Sequence, residues 1–109
     1  MKCTNHIACF FSGMFLANAI PHFVHGVSGD PFPTPFADPP GKGLSSPTVN
    51  VAWTFANIAA GYNLTRAGNL FRGRESGGRV AFLAGAAAIS VVLSTVFARK
   101  QVDRLDRAA

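Results

Sequence analysis

Charged side chains are scarce in this sequence. They make up 14% of its 109 residues, whereas soluble globular domains carry about 25%. Acidic residues are the rarer kind, with five Asp and Glu against ten Lys and Arg. Apolar residues make up 49% of the chain, and ten residues are Phe. Disordered chains combine low hydrophobicity with high charge, so this composition excludes a disordered chain.

The motifs of several enzyme classes are also missing. The sequence has no phosphate-binding Gly-rich loop that ends in Lys-Ser or Lys-Thr, no His-Glu-x-x-His and no Gly-x-Ser-x-Gly. Its two cysteines, Cys3 and Cys9, are six residues apart and form no C-x-x-C or zinc-binding pattern. The sequence therefore identifies no catalytic residue and predicts no cofactor, and it favours a protein without enzymatic activity.

The charged residues are clustered and leave three long uncharged windows, at 3–29, 43–65 and 80–98. A helix of about 20 apolar residues crosses the roughly 30 Å hydrocarbon core of a bilayer. A charge near the bilayer centre costs about 2.5–3.5 kcal/mol on insertion scales, so membrane helices would keep such windows free of charge. The alternative is a soluble helical bundle, but its outer faces would have to be polar, and the window 80–98 offers no polar face. The net charge of +5 therefore indicates membrane flanks and not a nucleic-acid partner.

We predict an all-α membrane protein with one domain, residues 1–109, and about three transmembrane helices. The predicted segments are helix 1 at about 6–27, a proline-rich loop at 28–46, helix 2 at about 47–64, an Arg/Gly-rich loop at 65–79, helix 3 at about 80–98 and a charged tail at 99–109.

Prolines shape the first helix and the loop that follows it. Pro21 is expected to kink the first helix, because proline removes a backbone hydrogen bond and its ring clashes with the preceding turn. The run DPFPTPFADPPGKG cannot form a helix and favours an extended path. Since Phe32 and Phe36 are apolar, we expect this loop to lie at the membrane interface.

Lys and Arg residues in the loops predict the orientation of the chain. The Arg/Gly-rich loop has four of them, whereas the proline-rich loop has only Lys42. Counted with the termini, each side has five basic residues, so the difference between the loops decides the orientation. It places the N-terminus and the Arg/Gly-rich loop in the cytoplasm, with the proline-rich loop and the charged tail outside. The alternative is a cytoplasmic tail, which would require that the first segment is re-entrant or does not span the membrane. Residues 1–19 also resemble a cleavable signal peptide that ends in Ala-Asn-Ala. A single basic residue before the apolar stretch, and apolar residues that resume at Ile20, favour retention as the first membrane helix.

Five polar residues form a candidate intramembrane face: Asn18, His22, His25, Asn50 and Asn57. The first three are spaced i, i+4 and i+7, which places them on one side of a helix. Polar side chains inside membrane bundles usually hydrogen-bond to one another, so a packing role is favoured. The alternatives are a transporter or ligand-binding face, or a metal or haem site formed by His22 and His25. Imidazole is a common metal ligand, but the sequence supplies no third ligand nearby, so no metal site is predicted.

Residues 12–64 carry a family resemblance. The segments SGMFLANAIPHFVHGVSGDPFPTPF, PPGKGLSSPTVNVAW and NIAAGYNL resemble a group of small uncharacterised bacterial integral-membrane proteins. The resemblance implies a multi-pass protein of the bacterial inner membrane and implies no activity. We therefore expect a structural or accessory membrane component whose partners are the lipid bilayer and either a second copy of the chain or another membrane protein.

Overall fold

A computed structural model describes the backbone of residues 2–40, 42–70 and 76–108, and the side chains of residues 5–40, 42–70 and 76–95. The chain forms three α-helices, which are α1 (Lys2–Val27), α2 (Pro47–Ala67) and α3 (Ser76–Ala108). The described ranges contain no β-strand, and Phe32 and Ser45 form an isolated antiparallel bridge. The predicted all-helical fold class is confirmed. Residues 71–75 of the predicted Arg/Gly-rich loop and residue 109 of the predicted tail lie outside the described residues.

Local sequence signals explain where α2 begins. The backbone N–H of Val49 donates to the side-chain oxygen of Ser46 at 3.2 Å, so Ser46 caps the helix. Pro47 occupies the first turn, where its missing N–H leaves no hydrogen bond unmade. At the other end, the N–H of Gly68 donates to the carbonyl oxygen of Leu64 at 2.9 Å. This helix extends three residues beyond the predicted boundary at 64.

The third helix differs most from its predicted bounds. It begins four residues before the predicted start at 80, and it continues ten residues beyond the predicted end at 98. Residues 99–108 are rich in Arg, Lys, Leu, Gln and Ala, which are good helix formers. Charge therefore ends the apolar window without ending the helix, and the predicted charged tail is helical.

Two of the three helices are long and apolar enough to cross a membrane. The qualifying segments are Asn5–Val27 in α1 and Ser76–Thr95 in α3. The more polar α2 does not meet this hydropathy criterion. Pro21 does not end α1, because the helix continues to Val27. A kink at Pro21 stays a prediction.

The central helix of the bundle is α1, which packs against both α2 and α3, whereas α2 and α3 make no contact with each other in the described part of the chain. Neighbouring residues along α1 and α2 show that these two helices run antiparallel, since Gly68 lies against Cys9 and Gly26 against Val51. By contrast, α3 runs parallel to α1: Gly77 lies against His6, and further along both helices Ala86 lies against Gly13. The proline-rich loop and the C-terminal end of α3 therefore lie at the same end of the bundle.

Two glycines allow α1 and α3 to cross closely. A Cβ atom on Gly13 would overlap the carbonyl oxygen of Phe82, and a Cβ atom on Gly85 would overlap the carbonyl oxygen of Phe10. The two backbones therefore touch without an intervening side chain. Small residues at such crossings are typical of membrane helices, where close backbone packing replaces the hydrophobic driving force available in water.

Polar residues are buried in this bundle, and large apolar residues are exposed. The buried polar side chains are Ser12, His22, Thr34, Ser45, Asn50, Thr54, Asn57 and Thr65. The buried apolar side chains are Cys9, Ala19, Phe32 and Ala37. Along α3 the exposed side chains include Val80, Leu83, Val91 and Val92. This distribution is the reverse of a soluble domain, in which large apolar side chains form the interior.

Candidate functional site

Asn50 connects the proline-rich loop to the helices. Its fully buried side chain donates from Nδ2 to the backbone carbonyl oxygens of Phe32, Ser45 and Ser46, at 3.0, 3.2 and 3.1 Å. Its Oδ1 atom lies 2.7 Å from Nδ1 of His22 on α1. Asn50 therefore links α1, the beginning of α2 and both ends of the loop, and we call this set of contacts the Asn50 clasp.

The clasp also fixes which nitrogen of His22 carries a proton. Three carbonyl oxygens can only accept, so they orient the amide of Asn50 with Nδ2 towards them and Oδ1 towards His22. Nδ1 of His22 must then donate the hydrogen bond to Oδ1. The imidazole ring is 3% exposed and makes edge contacts with the rings of Phe32 and Trp53, with centroids 5.1 and 6.5 Å away.

His25 has different partners from His22, although both lie on α1. Its Nδ1 atom lies 2.6 Å from Oδ2 of Asp30, just beyond the end of the helix. Its ring stacks on Phe32 with centroids 4.3 Å apart and planes 12° from parallel. Phe32 therefore contacts both histidines.

The proline-rich loop folds back on itself instead of following an extended path. Backbone N–H groups of Phe32 and Ser45 donate to each other's carbonyl oxygens at 3.2 and 3.0 Å. The hydroxyls of Thr34 and Ser45 lie 2.5 Å apart, and the N–H of Phe36 donates to Oγ1 of Thr34. Phe32 is completely buried beneath the loop, whereas Phe36 is 69% exposed. Of the two rings for which exposure at a membrane interface is expected, only Phe36 is exposed.

A second polar contact joins α1 and α2 deeper in the bundle. Nδ2 of Asn18 donates to Oδ1 of Asn57 at 2.9 Å, and Nδ2 of Asn57 donates to the carbonyl oxygen of Trp53 at 2.8 Å. Further towards the other end, Oγ of Ser12 donates to the carbonyl oxygen of Gly61 at 3.0 Å. The hydrogen bonds between α1 and α2 thus form successive layers along the helix pair.

The structure brings four of the five predicted residues together in pairs: Asn18 with Asn57, and His22 with Asn50. His25 instead bonds to Asp30. In the described part of the chain, no three His, Cys, Asp or Glu side chains are grouped as ligands for a metal ion. The two candidate ligands, His22 and His25, use Nδ1 for different partners. A metal held by either Nδ1 would have to displace Asn50 or Asp30.

Sequence reasoning missed several residues that complete this site. Phe32 and Ser45 supply carbonyl oxygens to the clasp, and the hydroxyl of Thr34 hydrogen-bonds to that of Ser45 across the loop. Phe32 and Ser45 are 13 positions apart and pair through their backbones in a proline-rich segment. The spacing of residues along a helix gives no information about such a pairing. Ser12 was missed for a simpler reason, because serine in an apolar helix commonly bonds within its own helix. Here it bonds across to α2.

Comparison with known proteins adds no assignment. No protein-family model matches the sequence, and no curated protein or solved structure shows significant similarity to it.

Proposed function

We propose that this chain is a multi-pass protein of a bacterial inner membrane with a structural or accessory role and three spans. The supporting observation is the reversed distribution of side chains, with hydrogen-bonded polar groups inside and large apolar groups outside. The assignment to a bacterial inner membrane is supported by the resemblance of residues 12–64 to small bacterial membrane proteins.

The low hydropathy of α2 is compatible with a third span. Its buried residues recur every three or four positions, so they form one stripe: Asn50, Thr54, Asn57, Gly61 and Thr65. That stripe faces α1, and its polar groups are hydrogen-bonded there or to their own helix. The outer face exposes Phe55, Ile58 and Tyr62. Its 21 residues extend about 32 Å, which is enough to cross a bilayer core.

The proposed orientation places the proline-rich loop and the C-terminal end outside. The parallel arrangement of α1 and α3 supports a common side for these two segments. In the sequence, the N-terminus and the segment 65–79 together contain five basic residues and one acidic residue, namely Lys2, Arg66, Arg72, Arg74, Arg79 and Glu75. The loop end carries five basic residues and four acidic ones. The segment 65–79, which includes the connection between α2 and α3 and the adjoining helix ends, holds four basic residues against one in the proline-rich loop. The positive-inside rule assigns the more basic of the two segments to the cytoplasm.

The hydrogen bonding of the polar face favours a packing role over transport or cofactor binding. Each of the five predicted residues already bonds to a protein group. Such bonds between membrane helices are worth about 0.6 kcal/mol on average. The uncovered face of α3 leaves a large apolar surface for lipid, for a second copy or for another membrane protein, and we propose that the accessory role uses this surface.

Insertion is tested by placing a charge on that surface. Ala87 is an exposed residue in the middle of the apolar part of α3, and Ser76 is an exposed residue at its end. Wild-type protein should stay in the membrane pellet after alkaline carbonate extraction. Ala87→Arg should lower the inserted fraction, because a central charge costs about 2.5–3.5 kcal/mol, and the matched control Ser76→Arg should not. Release of the wild type into the soluble fraction would refute the proposal.

A further inference from the structure

Trp53 carries a polar atom that the surrounding protein does not satisfy. Among the side chains that the structure describes, its indole Nε1 is the one buried side-chain nitrogen or oxygen without a hydrogen-bond partner. Leaving a buried donor unpaired costs about 1–3 kcal/mol. The neighbouring amides and hydroxyls on α2 all have partners, so this exception requires a physical explanation.

The ring of Phe36 packs edge-on against the ring of Trp53. The centroids of Phe36 and Trp53 are 5.0 Å apart and their planes are almost perpendicular, at 88°. Because the ring of Phe36 is 69% exposed, it can swing outwards without displacing a packed neighbour. Phe36 is thus the movable part of an otherwise fixed environment, in which His22 is held by Asn50.

The position of Trp53 indicates what lies outside Phe36. The Cα atom of Trp53 lies about 9 Å along α2 from Pro47, at the end that joins the proline-rich loop. Because helical side chains lean towards the N-terminus of their helix, the indole ring lies nearer to that end, where it contacts Phe36 of the loop. Large apolar side chains are exposed around this end, including Phe36, Leu44 and Val27. Such a band is typical of the interfacial region of a bilayer, where tryptophan places its ring in an apolar environment and its N–H near polar lipid groups.

We propose that the indole N–H of Trp53 is a lipid-binding site that donates a hydrogen bond to a glycerol ester carbonyl of a diacyl phospholipid when Phe36 swings outwards. The ester carbonyls lie at the boundary between headgroups and acyl chains. Each carbonyl oxygen is a strong hydrogen-bond acceptor, and the ester group has no N–H or O–H of its own that would also need a partner. The site rests on the proposed membrane insertion. It adds a specific lipid contact at the outer end of the bundle.

Vibrational spectroscopy can test the site without a label, because the chain contains one Trp. Protein would be reconstituted into vesicles of diester phosphatidylcholine and into vesicles of its diether analogue, which lacks ester carbonyls. Ultraviolet resonance Raman spectra would then report on the indole mode that shifts when the N–H is hydrogen-bonded. We expect the hydrogen-bonded position in diester vesicles and the unbonded position in diether vesicles.

Two variants test whether Phe36 controls access to the indole N–H, and they identify other possible hydrogen-bond partners of that N–H. Phe36→Ala should increase the bonded fraction in diester vesicles, whereas Phe55→Ala, which removes another exposed ring from α2, should leave it unchanged. An unbonded N–H in diester vesicles would overturn the proposal. A bonded N–H in both lipids would also overturn it: the partner would then be water, or the face of Phe36 if the signal disappears in Phe36→Ala. Flotation of the same samples separates the two ideas, since failure to float with the vesicles would count against membrane insertion itself.

Discussion

Replacing Asn50 with leucine should open the proline-rich loop while leaving the helices formed. Leucine has the same branched arrangement of side-chain heavy atoms as asparagine, so the substitution mainly removes hydrogen bonds. The two amide hydrogens of Asn50 are shared among three carbonyl oxygens, and its Oδ1 accepts from His22. The clasp therefore amounts to about three full hydrogen bonds, and at about 0.6 kcal/mol each the loss is about 2 kcal/mol.

Hydrogen exchange at the loop bridge measures this loss directly. The N–H groups of Phe32 and Ser45 are bonded only when the loop is closed on itself. A loss of about 2 kcal/mol corresponds to about thirtyfold faster exchange at these two amides, since about 1.4 kcal/mol is a factor of ten. Asn57→Leu, which removes the bond to Asn18 and none to the loop, is the matched control and should leave both amides protected. Unchanged protection in Asn50→Leu, with helicity preserved by circular dichroism, would refute the clasp.

Three further outcomes follow from the packing. Gly85→Leu should separate α1 from α3 and abolish disulfide crosslinking between cysteines introduced along their crossing, whereas Ala88→Leu, on the exposed side of α3, should leave crosslinking intact. His22→Gln should lower the free energy of unfolding by less than about 1 kcal/mol, because an amide can still donate to Asn50. His22→Leu should lower it by about 1–3 kcal/mol, because the buried Oδ1 atom loses its donor; equal losses in the two variants would contradict this hydrogen bond. Intact mass should show residues 1–19 retained, since Ser12 and Gly13 lie in the contacts of α1 with α2 and α3; a product beginning at Ile20 would contradict this expectation.

Sequence patterns predicted the helices better than their ends. Uncharged windows indicated three helical segments, because the suitability of a segment for membrane insertion depends on residues that are neighbours in the chain. The extension of α3 through 99–108 was not predicted. The apolar stretch ends at residue 98 but the helix does not, because Arg, Lys and Leu favour a helix in water as well.

Helical spacing predicts some of the hydrogen bonds between the candidate residues but not all of them. Helical spacing placed Asn18 and His22 on one face of α1, and both do reach α2. The same spacing placed His25 on this face as well. His25 instead bonds to Asp30, because the first residues of the loop bring the carboxyl group of Asp30 close to the end of α1. The burial of Phe32 also depends on how the loop folds back against the end of α1. Proline content excludes a helix in the loop, but it does not specify which carbonyl groups meet Asn50.

The most direct test of the three-span arrangement is the sidedness of three positions in one membrane preparation. Lys42 lies in the proline-rich loop and Ser76 at the start of α3, and both are exposed. In a background with Cys3 and Cys9 replaced, an impermeant maleimide should label Lys42→Cys in intact cells and Ser76→Cys only after permeabilisation. A reporter fused after Ala109 should be external, on the same side as Lys42. Labelling of Lys42→Cys and Ser76→Cys from the same side, or a C-terminal reporter on the side opposite Lys42, would contradict the arrangement.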